Sequence, residues 1–264
     1  MSVQPGRRTV AEAETQRANR RDWDHNADKY QAEHGEFLGD VGFIWCPEGL
    51  DEAHAHLLGD LSGKRVLEVG CGAGQCGRWL VAAGVSAFGF DLSARQLQHG
   101  QRIDVDSGVV LPAVCATATG IPFAEDSFDV AFSAYGALPF VLDAATVLRE
   151  VARVLRPGGQ FVFSVSHPMR WTLPDDPTAA GLTVTKSYFD RSPYVEQDEA
   201  GQATYVEHHR TLGDWVGVVH GVGFELYDLI EPEWPQDHHR SWGGWSRERG
   251  LLLPGTAIFC CRLR

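Results

Sequence analysis

The chain has 264 residues, 44% of them hydrophobic, and carries a formal net charge of −12. That is enough apolar content for one large domain with additions, while the acidic balance argues against a duplex nucleic-acid binder, whose phosphate contacts need concentrated Lys and Arg. No apolar run approaches bilayer-spanning length, and the opening MSVQPGRRTVAEAETQRANRRDWDHNADKY lacks a signal-peptide core. The expectation is a cytoplasmic protein with a small-molecule partner and no nucleic-acid or membrane partner, its oligomeric state left open. Residues 1–60 are polar and read as a helical cap in two pieces, the second being PEGLDEAHAHLLGDL with Pro47 as an early helix residue. KRVLEVG then reads as a buried strand and GQCGRWLVAAG as a helix closed by Gly84. VSAFGFD is a second strand ending on Asp91, SARQLQHGQRI a helix with Ser93 as N-cap, and VVLPAVCATA an edge-type strand because of Pro112.

Further along, SFDVAFSAYG alternates Phe128, Val130 and Phe132 as a strand does. In DAATVLREVARVL, Ala144, Val147, Leu148, Val151, Val154 and Leu155 recur at three- and four-residue steps, the pattern of an amphipathic helix. RPGG stops that helix and QFVFSVS supplies the next strand. Strand and helix alternating in this way imply βαβ units and a parallel sheet, assigned to a core over 61–264. Residues 167–210 break the rhythm with Pro, Gly and aromatics and read as a lid or substrate-binding insertion. HRTLGDWVGVVHGVG is a last helix; FELYDLI and GTAIFCCRL are two last strands. The six cysteines show no C-x-x-C spacing and read as buried, reduced thiols.

The stretch VLEVGCGAGQCGRWL is the most informative. Gly72, Gly74 and Gly77 satisfy G-x-G-x-x-G, with Asp91 at the distance of a ribose-binding acid, so a nicotinamide or flavin dinucleotide is one reading. Glu68, Gly70, Gly72 and Gly74 also give E-x-G-x-G-x-G, which uses the strand-end acid that the dinucleotide fingerprint leaves unexplained. A pyrophosphate seeks backbone N–H groups at a helix N-terminus. A sulfonium cofactor has no phosphate and brings a cationic amine and sulfur, which an acid at the loop entrance can assist directly or by ordering the loop. Glu68 favours the second cofactor.

FGFDLS, ATATGIPFAEDSFDVAFS and EVARVLRPGGQFVFSVSHP follow at matching intervals. With these motifs the chain resembles the class I S-adenosylmethionine-dependent methyltransferases, specifically the methyltransferase type 11 group, closely over about 60–170 and again in the order of the last helix and two strands. The resemblance implies an α/β, Rossmann-like seven-stranded sheet with a reversed final strand, and S-adenosyl-L-methionine as cofactor. It implies that Gly70, Cys71, Gly72 and Gly74 pack under the methionine portion, Asp91 holds the ribose and Leu92 covers an adenine face. Ser133 to Tyr135 should face the reactive methyl, and Tyr30 in WDHNADKY should close over the cofactor. Thr117, followed by Ala118, stands where the family usually has an acid contacting the adenine amine, a departure that leaves one hydroxyl for that bond.

Methyl transfer is an in-line displacement in which alignment supplies much of the acceleration, and a general base matters only when the acceptor must lose a proton. Candidate bases and acceptor contacts are His34, Tyr135, His167, Tyr188, Tyr205, His208 and His209, with His167 and His208 put forward as catalytic; each also reads as a surface or hinge residue. Trp45, Trp171 and Tyr188 are the substrate-contact candidates. The aromatics Phe43, Trp45, Trp171, Trp234, Trp242 and Trp245 either line an apolar acceptor pocket or seal the additions onto the core. The pairs His54/His56, His208/His209 and His238/His239 lack a second ligand group, so no metal is expected. The expected activity is methyl transfer to an O, N or C atom of a small organic acceptor; an NAD(P)-dependent oxidoreductase and a catalytically silent protein keeping the fold are the alternatives.

Overall fold

Two sheets organise the chain, which a computed structural model describes over residues 4–264. In chain order the elements are β1 (Gln4–Arg7), α1 (Glu12–Leu38), α2 (Glu52–Ala55), β2 (Arg65–Val69), α3 (Gln75–Ala82), β3 (Ser86–Asp91), α4 (Ala94–Ser107), β4 (Ala113–Cys115) and β5 (Phe128–Ala134). There follow α5 (Ala144–Val154), β6 (Leu155–Ser166), β7 (Tyr194–Gln197), β8 (Ala203–Glu207), α6 (Leu212–Gly221), β9 (Phe224–Ile230), α7 (Arg247–Gly250) and β10 (Thr256–Leu263). The larger sheet has seven strands in the order β4-β3-β2-β5-β6-β10-β9. Neighbours run parallel from β4 to β6, and β10 is antiparallel to both β6 and β9. The seven-stranded, Rossmann-like α/β sheet with its reversed final strand is therefore present.

The sheet is buried on both faces, which is why β2 and β5 read as nearly continuous apolar runs. One face packs Leu67, Val69, Phe128, Phe161 and Phe163 against α5 and α6; α5 buries Ala144, Val147, Leu148, Val151 and Val154, the residues its periodicity selects. The other face packs Val66, Phe132, Val162 and Ile258 against Leu80 of α3 and against Phe43, Trp45 and Leu58. At the edge, β4 is three residues long, and the carbonyl of Pro112 accepts the Gly89 N–H at 2.9 Å, so the proline sits where no ladder donor is needed.

The smaller sheet has the order β1-β7-β8, all antiparallel, so the N-terminal strand pairs with the 167–210 excursion instead of standing apart from it. Val10 and Ala18 on one side meet Val195 and Val206 on the other, docking this sheet on α1. Two sequence expectations are corrected. The 1–60 segment is not two comparable helices: α1 runs for 27 residues, whereas Pro47 lies in a turn and α2 is a single turn. RPGG does not separate α5 from its strand, since β6 begins at Leu155, and the glycines take up a register shift against β5 between Phe128 and Val130.

Candidate active site

The chain leaves β2 in one direction, through α3 to β3, and returns to β5 on the other side of β2, so the carboxyl ends of β2 and β5 flank the switch point where open α/β sheets bind ligands. A cavity opens there. From the sheet it is lined by Glu68 of β2 with Gly70, Cys71 and Gly72 after it, Asp91 at the end of β3 with Leu92 after it, Thr117 and Ala118 after β4, and Tyr135 and Gly136 after β5. From above, α1 contributes Gln16, Asn19, Trp23 and Tyr30.

The glycine loop is held by the two strand-end acids. Glu68 is 4% exposed and its Oε2 accepts the Gly77 N–H at 2.8 Å, pinning the first turn of α3. Burial pushes its carboxyl up to about 8, against the pull of the Gly77 bond and of Arg78. A Cβ on Gly77 would stand 2.6 Å from that carboxylate, so the third glycine of the run serves close helix–sheet packing. Asp91 accepts the Gly72 N–H on Oδ2 and the Ser93 N–H on Oδ1, each at 2.8 Å. Burial also raises the Asp91 carboxyl above its ordinary range. Gly72 has φ +53° and a Cβ there would meet nothing within 4 Å, which leaves the backbone open to a ligand.

Opposite this loop the chain turns sharply. Tyr135 (φ 63°) and Ala137 (φ 42°) are non-glycine residues in the left-handed region on either side of Gly136, where a Cβ would lie 2.5 Å from the Gly70 carbonyl oxygen. Strained backbone of this kind, wedged against a ligand cleft, is typical of functional sites. Ser164 fixes it, accepting the Tyr135 N–H at 2.8 Å and donating to the Trp45 carbonyl at 2.7 Å.

Helix α1 is strapped across the opening. Gln75 of α3 donates to Gln31 at 3.2 Å, and Gln31 donates to Gln96 of α4 at 2.9 Å. Asp24 receives the Ser93 hydroxyl at 2.7 Å. Asn19 pairs with Val206 through both its amide atoms, at 2.9 and 2.8 Å, joining β8 to the cavity roof. Trp23 meets Tyr30 and Phe140 edge-on, each with ring centroids 5.5 Å apart, giving an aromatic ceiling.

Of the cofactor-site candidates, Tyr30, Glu68, Gly70, Cys71, Gly72, Asp91, Leu92, Thr117, Ala118 and Tyr135 come together around the cavity. Gly74 and Ser133 do not line it: Gly74 is the left-handed N-cap of α3, and the buried Ser133 hydroxyl donates to the Val69 carbonyl at 2.8 Å. Of the acceptor candidates, Tyr135 lines the cavity and the others do not. His167 is buried with Nε2 2.8 Å from Glu231 and Nδ1 accepting the Met169 N–H. His208 has Nε2 3.3 Å from the Thr15 hydroxyl, its backbone N–H bonded to Pro139, and its imidazole pushed down to about 4 by burial and then by Arg210. Both rings are occupied in fastening segments together, which removes them from the cavity wall. Trp45 is spent on Glu52, donating Nε1 at 2.8 Å; Trp171 lies between Arg7 and Arg170; the Tyr188 hydroxyl accepts the Leu212 N–H. Likewise His34 stacks on Trp242 with 3.7 Å between centroids, Tyr205 donates to Glu207, and His209 bonds the Tyr188 carbonyl. The outlying aromatics thus seal the additions to the core.

Sequence reasoning passed over Gln16, Asn19, Trp23 and Phe140. Gln16, Asn19, Trp23 and Tyr30 recur at helical spacing, and that shared face was the available signal.

Known proteins fit this geometry. Residues 67–163 match the methyltransferase domain family. The ubiquinone biosynthesis O-methyltransferase of Ralstonia nicotianae is 35% identical over 108 residues, covering 40% of this chain and 45% of that protein. A demethylmenaquinone methyltransferase of a Mycobacterium species is 38% identical over 105 residues, covering 40% and 43%. The match therefore spans less than half the length of these curated relatives. The crystal structure of an S-adenosylmethionine-dependent methyltransferase from Mesorhizobium loti superposes with TM-score 0.64 at 28% identity, covering 82% of this chain and all of that one. The domain match over residues 67–163, the strand order and the acid-pinned glycine loop are together similar to those of class I S-adenosylmethionine-dependent methyltransferases.

Proposed function

We propose that this protein transfers a methyl group from S-adenosylmethionine to a small organic acceptor. The observation that carries the reading is the make-up of the cavity wall: two buried acids, Glu68 and Asp91, line it, and no Lys, Arg or His does so among the described residues. Such a wall offers a pyrophosphate no cationic partner and suits a ligand that is phosphate-free. This argues for the methyl donor over NAD or NADP.

The residues present fit that donor. Asp91 retains lone pairs beyond its two backbone bonds and can accept ribose hydroxyls. Gly72 leaves room for close approach, Leu92 and Ala118 offer apolar surface, and the Thr117 hydroxyl, 3.0 Å from that of Thr119, supplies one polar contact. Trp23, Tyr30 and Phe140 line the cavity as a cluster of apolar rings, whose faces are the part that attracts a cation. When bound, S-adenosylmethionine supplies an electrophilic methyl on a cationic sulfur. The protein's part is alignment: α1 and the Tyr135–Ala137 turn enclose the space from opposite sides and restrict the approach of an acceptor.

The two relatives are a ubiquinone biosynthesis O-methyltransferase and a demethylmenaquinone methyltransferase; for this chain the acceptor is a small organic molecule. The fitting test incubates purified protein with methyl-labelled S-adenosylmethionine and a panel of phenols, amines and activated carbon acids. The expected result is labelled product with at least one acceptor together with stoichiometric S-adenosylhomocysteine. Tight binding of NADH in place of the methyl donor overturns the reading.

A further inference from the structure

Arg249 is a buried cation without a counter-ion. It is 0% exposed, and its Nη1 donates to the carbonyls of Pro174 and Asp176, each at 2.9 Å. Its Nε and Nη2 make no hydrogen bond, and no carboxylate of the described residues lies within ion-pair distance. These two atoms form the side-on edge of the guanidinium, the fork that grips a carboxylate through two parallel N–H···O bonds. A buried charge with an empty fork is costly, so its retention calls for a reason.

A second guanidinium stands beside it. Arg170 keeps 24% of its side chain accessible, and its one carboxylate contact among the described residues is Asp175, at 3.5 Å and itself 65% exposed. A Cβ on Gly244 would collide with both Asp175 Oδ1 and Arg249 Nη1, so this carboxylate and the two arginines share one place. Arg249 lies over the ring of Trp245 with 4.5 Å to the centroid, and the buried Trp245 Nε1 is a further donor without a partner. Other acids nearby are engaged: Asp176 accepts the Thr178 N–H at 2.8 Å, and Glu207, whose charge acts on Arg170, accepts the Tyr205 hydroxyl at 3.0 Å. The unpaired atoms around this indole on the arginine side are all donors, and donors call for an oxyanion.

The cluster adjoins the cavity from two directions. Ser166, the last residue of β6, donates to the phenol of the cavity-lining Tyr135 at 3.3 Å, and the chain then turns so that the His167 carbonyl accepts the Arg170 N–H at 2.9 Å. From the wall formed by Phe140, rings run outward. Phe140 meets Tyr205 with 5.9 Å between centroids, Tyr205 meets Tyr194 at 6.2 Å, and Tyr194 meets Trp171 at 6.2 Å. The Arg170 guanidinium lies 5.0 Å over Trp171. Arg170 thus follows the carboxyl end of β6, the strand beside β5, on the side where open α/β sheets hold their ligands.

We propose that Arg170, the open fork of Arg249 and Trp245 Nε1 form a carboxylate-binding subsite beside the Tyr135 end of the cavity. The methyl acceptor is then a carboxylic acid, held by its carboxylate and methylated at another atom. The proposal rests on the methyl-transfer reading and names its substrate class. Entry to the fork needs the Trp242–Trp245 turn to yield, which Gly243 (φ 54°) and Gly244 within it allow.

The test titrates the full chain, loaded with S-adenosylhomocysteine, with benzoate and hexanoate and with their neutral counterparts benzamide and hexanamide, by calorimetry. At least one acid should bind saturably and about 30-fold more tightly than its amide, the order of a charge-assisted pair. Arg170→Met, which removes the charge, and Arg249→Lys, which keeps the charge and loses the fork, should each weaken that acid about 10-fold or more. Both variants should bind S-adenosylhomocysteine as the wild type does, which shows that they are folded; Arg170→Met decides alone if Arg249→Lys does not fold. Acids bound no more tightly than their amides, or folded variants that bind the acid with wild-type affinity, overturn the subsite. Failure of the wild type to bind S-adenosylhomocysteine overturns the methyl-transfer reading instead, and the same acids titrated on the free chain then decide the subsite.

Discussion

Asp91 and Glu68 perform different work although both close a strand and both face one cavity. Asp91 holds two backbone N–H groups, one from the glycine loop and one from the entry to α4, and so sets the position of both. Asp91→Ala should lower affinity for S-adenosylhomocysteine about 100-fold, the order expected for two hydrogen bonds to a charged group, while the protein remains folded by circular dichroism; an unchanged Kd contradicts the ribose assignment. Glu68 makes a prediction about pH. Its folded carboxyl is raised from 4.5 to about 8, so between these values the folded state holds a proton that the unfolded chain has released. Stability contributed by this group is complete below the lower value and declines as pH rises through the window, by at most about 1.4 kcal/mol per pH unit. Glu68→Gln, which can still accept the Gly77 N–H, should flatten the fall in Tm of the ligand-free protein over that window, and a slope equal to the wild type's would contradict the burial argument. These two residues were legible in the sequence because spacing alone put them at strand ends beside glycines. That His167 and His208 stand off the cavity wall was not legible, because the groups beside them, Glu231 and Thr15, are remote in sequence.

Between elements, Arg78 is the pin that holds the glycine loop in its fold. Its side chain is 1% exposed and donates to Asp104 of α4, to the carbonyl of Asp40, and to the carbonyls of Ala73 and Gly100. Arg78→Ala would leave Asp104 and three carbonyls without their donor, so a loss of about 3–5 kcal/mol is expected in urea unfolding; a change under ~1 kcal/mol would show that these bonds are replaced by water. The error over α2 has a physical explanation at this scale too. Pro47 as an early helix residue suggested a helix through PEGLDEAHAHLLGDL, yet the Glu52 carboxylate captures Trp45 Nε1 and the N–H groups of Leu57 and Leu58. His56 then turns left-handed and the helix stops after one turn. A side chain competing for backbone donors overrides periodicity and leaves little trace in the pattern. Conversely, α5 and α6 were plain because their apolar stripes face one sheet and their caps, Asp143 and Thr211, are local.

Across the whole molecule, the alternation of strands and helices announced the parallel sheet, and the order of its last two strands came from resemblance. The small sheet was invisible, because β1 and β7 pair through residues as remote as Gln4 and Gln197 and neither strand has a strong pattern of its own. Helix α1 roofs the cavity, Asn19 ties it to β8 of that sheet, and Trp242 of the 231–255 segment packs on its His34, Tyr30 and Phe37. No helix among the described residues is long and apolar enough to cross a membrane. The central claim is that this roofed, acid-walled cavity takes a sulfonium cofactor. Calorimetric titration of the full chain with S-adenosylhomocysteine, with NAD and NADP in parallel, tests it most directly. The account predicts saturable one-to-one binding of the homocysteine and no heat from either dinucleotide; saturation by a dinucleotide alone would contradict it and make the glycine loop a pyrophosphate cradle.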